Sequence, residues 1–502
     1  MARRRPTSSP RILLFSALLA GGAVALSSTS ALASGLSTAR FGAEHGHPTT
    51  DNPTATYYNP AGIALGDGTR IFIDTSIALR WASYTRPQSA ISNAGNGTPD
   101  EALDANSGRA SLFNTLAAPF AGVASDFGTD FIAAGASFSV PFGGQAVWSA
   151  NEKYSGSADY PGAVDGVQRW YTIDGTLRSM YITGALAFKI KKIGLSIGVS
   201  GSAIYSGVNT IRARNVDGSD DLVVNAADLG DPRNLKEGRS LVDVKGWQGG
   251  FGVGAIWQWK EMLWIGASYT SQPNVYGGMR LKGQLTNVFA TSSSPEATEV
   301  VMTQTLPDIV RLGVRVRPVE KVELRVFGDW TRWSVFDKQC VLIASSDDQN
   351  CDFPRADTAL DSPTTFGDGL NEDGDNVVPG VTQHLPRFWR DGFGVRAGVS
   401  YWFLPQIEGY FGAGFDSSAV PVATLDPALM DMHKISLSLG GRFQIVKQFA
   451  LAVTLTDIIY FTVDTAGRNL LNQFQQPTRQ ADANGIYKQN IAVGNLYLDI
   501  SF

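Results

Sequence analysis

The sequence predicts an all-β protein: a transmembrane antiparallel β-barrel of about fourteen strands, with an N-terminal plug, or hatch, inside the lumen. Three observations predict it. Short segments of alternating polarity recur from Arg70 to the C-terminus, the connections between them are long and short by turns, and the chain ends on an alternating strand closed by Phe502. Charged residues make up 17% of the chain and hydrophobic ones 43%, whereas soluble domains carry roughly 25% charge. No internal run approaches the about 20 apolar residues of a transmembrane helix. A net charge of -5 without a basic block argues against nucleic acid as a partner.

The first residues form a targeting segment. Arg3, Arg4, Arg5 and Arg11 precede an apolar run from Ile12 to Leu26, and Ala31-Leu32-Ala33 supplies a small-residue cleavage site. Residues 1–33 are therefore expected to be a signal peptide. Residues 34–69 are rich in Gly, Pro and Thr and contain Tyr57-Tyr58-Asn59-Pro60-Ala61-Gly62. Such a stretch suits neither a helix nor a ladder strand. Residues 70–502 read as barrel hairpins, so 34–69 is expected to fill the barrel.

The strands follow in order. Arg70 to Ala82 alternates Ile71, Ile73, Ile77 and Leu79 with mostly polar or small residues. Leu112–Ser125 and Phe131–Val140 form a pair around Asp126-Phe127-Gly128-Thr129, and Arg178–Ile190 and Gly194–Arg212 a second around Lys191-Lys192. Gly250–Trp259 turns at Lys260-Glu261 into Leu263–Tyr276, and Val300–Arg317 turns at Pro318 to Lys321 into Val322–Phe336. Phe393–Phe403 with Ile407–Ser417, Ile435–Ile445 with Phe449–Asp464, and Ile491–Phe502 complete the set. Short turns on one side and long loops on the other match outer-membrane barrels, where turns face the periplasm. Closure also leaves no exposed strand edge.

Parity then sorts the side chains. Val310, Leu312, Val314 and Val316 share one face, and so do Val322, Leu324 and Val326. Arg311, Arg315, Arg317, Glu323, Arg325, Asp329, Arg396, Glu408, Asp416 and Arg442 take the other face, which must be the lumen. An arginine facing lipid at mid-membrane costs about 2–4 kcal/mol. Trp257, Trp259, Tyr401 and Phe403 suit an aromatic girdle. The inner arginines either brace the barrel in carboxylate pairs or hold a ligand carboxylate. Arg311, Arg325 and Arg396 are candidates for the second role, because guanidinium matches carboxylate geometry bidentately.

Three local features remain. Cys340 and Cys351 lie close in a polar stretch of an exported chain, which favours a disulfide over a metal site. Asp368, Asn371, Asp373 and Asp375 fall in an acidic, glycine-containing run that would hold calcium weakly at best. In the third strand Pro141 has no N–H to donate, and Gly143-Gly144 after Phe142 allow a bend. Catalysis is not expected: His45, His47, His384 and His433 have no nucleophile motif beside them. No cofactor is expected either.

Tyr57-Tyr58-Asn59-Pro60-Ala61 resembles the hatch of the outer-membrane long-chain fatty-acid and aromatic-hydrocarbon transporter family (FadL/OmpP1/TodX type). Leu116-Ala117-Ala118-Pro119, Trp333-Ser334-Val335-Phe336 and Phe415-Asp416-Ser417-Ser418-Ala419-Val420-Pro421 extend that resemblance over nearly the whole mature chain. It implies passive uptake of hydrophobic molecules across the bacterial outer membrane, with long-chain fatty acids foremost. Aromatic hydrocarbons are the alternative, and outside the family a general porin or structural barrel. It also implies that Arg212 stands where the family has a carboxylate-binding arginine. It implies too that the third strand kinks inward at Pro141-Phe142-Gly143-Gly144, leaving a lateral exit. Outer-membrane lipids and the barrel-assembly machinery are the implied partners, and a monomer the implied state.

Overall fold

The computed structural model describes residues 37–91, 94, 98–215, 237–275, 277–289, 294–347, 351, 380–473 and 480–502. The expected signal peptide, residues 216–236, and the acidic run with Asp368, Asn371, Asp373 and Asp375 lie outside them.

Among the described residues the chain forms one closed antiparallel barrel of fourteen strands. They are β1 Thr69–Arg86; β2 Gly108–Ala117 with Phe120–Ser125; β3 Ile132–Val147; β4 Asp174–Ile190; and β5 Leu195–Asn215. Next come β6 Glu237–Trp259; β7 Leu263–Thr270 with Met279–Val288; β8 Glu296–Gln304 with Ile309–Val319; and β9 Val322–Thr331 with Lys338–Ile343. The set ends with β10 Val381–Pro386 and Gly392–Leu404; β11 Ile407–Asp416; β12 Lys434–Val446; β13 Phe449–Tyr460 with Val463–Asp464; and β14 Ile486–Ser501. The sheet closes where β14 pairs with β1, Ser501 opposite Arg70 and Ile486 opposite Thr85.

The alternation read from the sequence is the alternation of burial. Leu312, Val314, Leu324 and Val326 are exposed on the outer wall, while Arg311, Arg315 and Arg325 are buried inside. Trp257, Trp259, Tyr401 and Phe403 are exposed, as a lipid-facing girdle requires. On β14 Leu496 and Phe502 face outward and Asn495 and Tyr497 inward.

The strands run further than their apolar patterning. β6 begins at Glu237 rather than near Gly250. Beyond Trp247, which packs on Tyr205 with ring centroids 5.1 Å apart, its outward positions are Lys245 and Asp243. The ladder thus continues past the lipid belt into water, where no apolar outer face is needed to sustain it. Loop segments follow the same rule: Lys338–Ile343 and Val381–Pro386 pair with Cys340 opposite His384.

Cys340 and Cys351 are joined in a disulfide, with Cα atoms 6.3 Å apart. It closes a short loop at the end of β9, a segment with little core of its own. Unreduced mature protein should therefore give no maleimide adduct, and reduced protein two; two adducts without reductant would refute the bridge.

Candidate binding site and lateral opening

Residues 37–68 lie against the inner wall, and the wall is shaped to receive them. Gly198 of β5, Gly254 of β6, Gly266 of β7 and Gly313 of β8 all face inward on adjoining strands, with Gly198 opposite Gly254 and Gly266 opposite Gly313. A Cβ at Gly254 would lie 2.0 Å from Asn59 Oδ1, and one at Gly198 2.3 Å from the Ala61 nitrogen. Only glycine admits so close an approach. On this floor Asn59, fully buried, donates from Nδ2 to the carbonyls of Pro48 (2.8 Å), Ala255 (3.1 Å) and Ala267 (3.2 Å). Its Oδ1 accepts from the Ala61 N–H at 3.1 Å and so caps the short helical turn Pro60–Ala64. Ser268 donates to the Tyr58 carbonyl at 2.6 Å. Arg315 pairs with Asp51 at 3.0 Å and Arg70 donates to the Ile63 carbonyl at 2.6 Å, pinning the turn-proximal side.

The wall is not continuous. Phe120–Ser125 of β2 pairs with β3 from Ala134 to Ser139. Gly108–Ala117 of β2 pairs with β1 but has no ladder with β3 among the described residues. On its other side β3 keeps β4, with a register shift between Ser139 and Phe142, where Pro141 stands. The gap is bounded at the loop end by Asn114, whose side chain bonds the Val147 carbonyl and N–H, each at 3.2 Å. From inside, the N-terminal segment covers it. Thr38 donates from its N–H to the Pro141 carbonyl at 2.7 Å and from Oγ1 to the Val140 carbonyl at 2.5 Å, and Ser37 bridges Phe142 in antiparallel fashion. Unpaired backbone at membrane depth is sustained only where it meets protein or a cavity, and here it meets both.

Two cavities adjoin this gap. The first lies between residues 37–58 and the wall, with Tyr57, Leu116, Ile309, Ile458 and Val493 among its apolar lining. Arg311 and Arg396 line it together. Arg396 is spent on carboxylates, Asp329 Oδ1 at 2.6 Å and Asp416. Arg311 sits over the Tyr57 ring at 4.6 Å and donates to Thr270 Oγ1 at 2.9 Å. The second cavity, nearer the long loops, has Leu177, Val242, Met302 and Met430 in its wall, the stretch Gly143–Ala146 at its edge, and Arg212 in its lining. Arg325 lines neither; it donates to Ser400 Oγ at 2.8 Å and lies 3.5 Å from Glu323.

Some of the site lay outside the sequence reading. Ser37 and Thr38, which cover the gap, carry no motif. The glycine floor did leave a signal, since Gly198, Gly254, Gly266 and Gly313 hold inward parity on four consecutive strands. Among the described residues no group of His, Cys, Asp and Glu is arranged to hold a metal.

A closed barrel with an apolar belt, a seated N-terminal segment and lumenal cavities beside a wall gap defines an outer-membrane transport barrel. Residues 13–488 match the outer membrane protein transport protein family (OMPP1/FadL/TodX), and the chain belongs to that family. It is an outer-membrane transporter of hydrophobic molecules and not an enzyme. Among solved structures it is similar to a Pseudomonas aeruginosa FadL homologue, with a TM-score of 0.67 at 15% identity over 95% of this chain and 99% of that one. The Ralstonia pickettii toluene transporter TbuX gives 0.54 at 14% identity over 90% and 94% of the two chains. The Pseudomonas putida toluene transporter TodX gives 0.56 at 13% identity over 93% and 96%. At these identities the likeness is one of fold. No curated protein sequence matches the chain.

Proposed function

We propose that this chain takes up long-chain fatty acids passively and releases them sideways into the outer membrane between β2 and β3. The observation that carries the reading is the missing ladder between Gly108–Ala117 and the upper half of β3, beside two cavities with apolar residues in their linings. In this reading residues 34–69 are the hatch, with Asn59, Pro60 and Ala61 as its seat, and Pro141-Phe142-Gly143-Gly144 frames the exit. A ligand leaving by that route never meets the periplasmic side of the hatch. Cationic groups on apolar walls support a carboxylate-headed ligand over a hydrocarbon: Arg311 in the first cavity and Arg212 in the second are the proposed contacts. Arg396 and Arg325 are proposed as braces, because carboxylates already engage them. Outer-membrane lipids and the barrel-assembly machinery are the proposed partners, and a monomer is the proposed state.

Uptake by vesicles carrying the purified protein tests this. Oleate entry should exceed that of protein-free vesicles about tenfold or more, and toluene should gain less. Equal gains for both, or toluene alone, would overturn the fatty-acid reading.

A further inference from the structure

The first cavity contains a cation that the fold does not neutralise by contact. Four basic side chains line it: Arg40, Arg311, Arg396 and Lys434. Three of them have partners. Arg396 holds Asp329 and Asp416, Lys434 Nζ lies 2.6 Å from Asp431, and Arg311 has Thr270 and the Tyr57 ring. Arg40 differs. Its carbonyl accepts from Asn495 Nδ2 at 3.1 Å and from the Ala43 N–H at 3.0 Å, which fixes the backbone. Its guanidinium forms no hydrogen bond and no ion pair among the described residues. Two anions stand in its surroundings without touching it: Asp416 is ion-paired with Arg396, and Glu44 accepts from the Ser438 hydroxyl and keeps its charge. Burial, with Arg396 close by, lowers the Arg40 pKa from its ordinary value.

A half-buried guanidinium held on an anchored backbone, with its donors unspent in a cavity whose lining mixes polar and apolar residues, is arranged for an anion with an apolar tail. Desolvating such a group without an acceptor is costly, and a carboxylate gives it two charge-assisted bonds at once. A neutral hydrocarbon gives none. The tail has somewhere to go: Leu116, Ile458, Ile491 and Val493 line the same space. The position also matters, for Arg40 follows Thr38 by two residues, and Thr38 covers the gap in the wall.

We propose that Arg40 is the headgroup site of the first cavity, binding the carboxylate of an anionic amphiphile and so selecting acids over neutral molecules of equal length. This rests on the fatty-acid reading above and, within the first cavity, places the primary headgroup contact on Arg40, with Arg311, already engaged by Thr270 and Tyr57, as a secondary cation.

The test compares oleate with oleyl alcohol, which has the same tail and no charge, by binding to purified protein in a neutral detergent. Arg40→Gln should weaken oleate about tenfold or more and leave the alcohol within about twofold, since a lost charge-assisted contact acts on one ligand only. Arg40→Lys should keep part of the preference for oleate. Retention of heat-modifiable migration on gels shows that each variant is folded. If Arg40→Gln alters neither ligand, or weakens both alike, the headgroup assignment is overturned while the uptake reading stands. If the wild type binds neither ligand, both fall.

Discussion

Oxidising a Ser37→Cys, Phe142→Cys double variant should cut oleate uptake about tenfold or more, and reductant should restore it. The two residues form an isolated antiparallel bridge over the gap in the wall. Directly opposed residues of such a bridge have Cα atoms roughly 4.5–5.5 Å apart, inside the range of about 4.4–6.8 Å that a disulfide needs. The bond would fasten the N-terminal segment to β3 where Thr38 now holds it by two hydrogen bonds. Two such bonds contribute on the order of 2 kcal/mol, a barrier that thermal motion crosses often. A covalent bond is not crossed at all. If ligand leaves through the gap, the segment must withdraw, and the lock must stop it. The reduced variant controls for loss of the Phe142 ring, and reductant-treated wild type controls for opening of the Cys340–Cys351 bridge. Full uptake by the oxidised variant would exclude this route.

The fold was legible in the sequence because a membrane imposes period-two alternation that no soluble sheet needs on so many strands. Arg311, Arg325 and Arg396 could be placed inside from Leu312, Leu324 and Val395 alone. What each arginine does could not be read that way. Arg396 meets Asp329 and Asp416 from strands on either side of its own, and Arg311 meets Tyr57 from the N-terminal segment. Parity gives the face of a residue, but partners depend on register and on where residues 37–68 come to rest. Strand ends escape the apolar pattern for a different reason. Beyond Trp247 the ladder continues with Lys245 and Asp243 outward, so the apolar signature stops before the strand does. The register shift between Ser139 and Phe142 falls at Pro141, a residue that lacks a backbone donor. That Ser37 and Thr38 cover the gap there was not legible, since small polar residues satisfy backbone groups in countless settings.

Asn59→Ala should loosen the N-terminal segment without unfolding the barrel, and the effect should appear as leak. Asn59 is fully buried and its amide serves three carbonyls, of Pro48, Ala255 and Ala267, while Oδ1 holds the Ala61 N–H. Removing it leaves that N–H and the Pro48 carbonyl short of partners, at about 1–3 kcal/mol for each buried group. Ala255 and Ala267 lie in paired strands, so their carbonyls lose less. A loss of about 3 kcal/mol would raise the population of an unseated segment on the order of a hundredfold. Liposomes should then swell in small sugars far faster than with wild type, while the barrel stays heat-resistant on gels because its ladder is intact. Gly254→Val should give the same leak by another route, as its Cβ would fall 2.0 Å from Asn59 Oδ1. Gly201→Val is the control, for a Cβ there meets nothing within 4 Å and should change neither swelling nor gel migration. Wild-type swelling in both Asn59→Ala and Gly254→Val would show that the segment is held by its Arg315–Asp51 and Arg70 contacts instead, and that the glycine floor is not its seat.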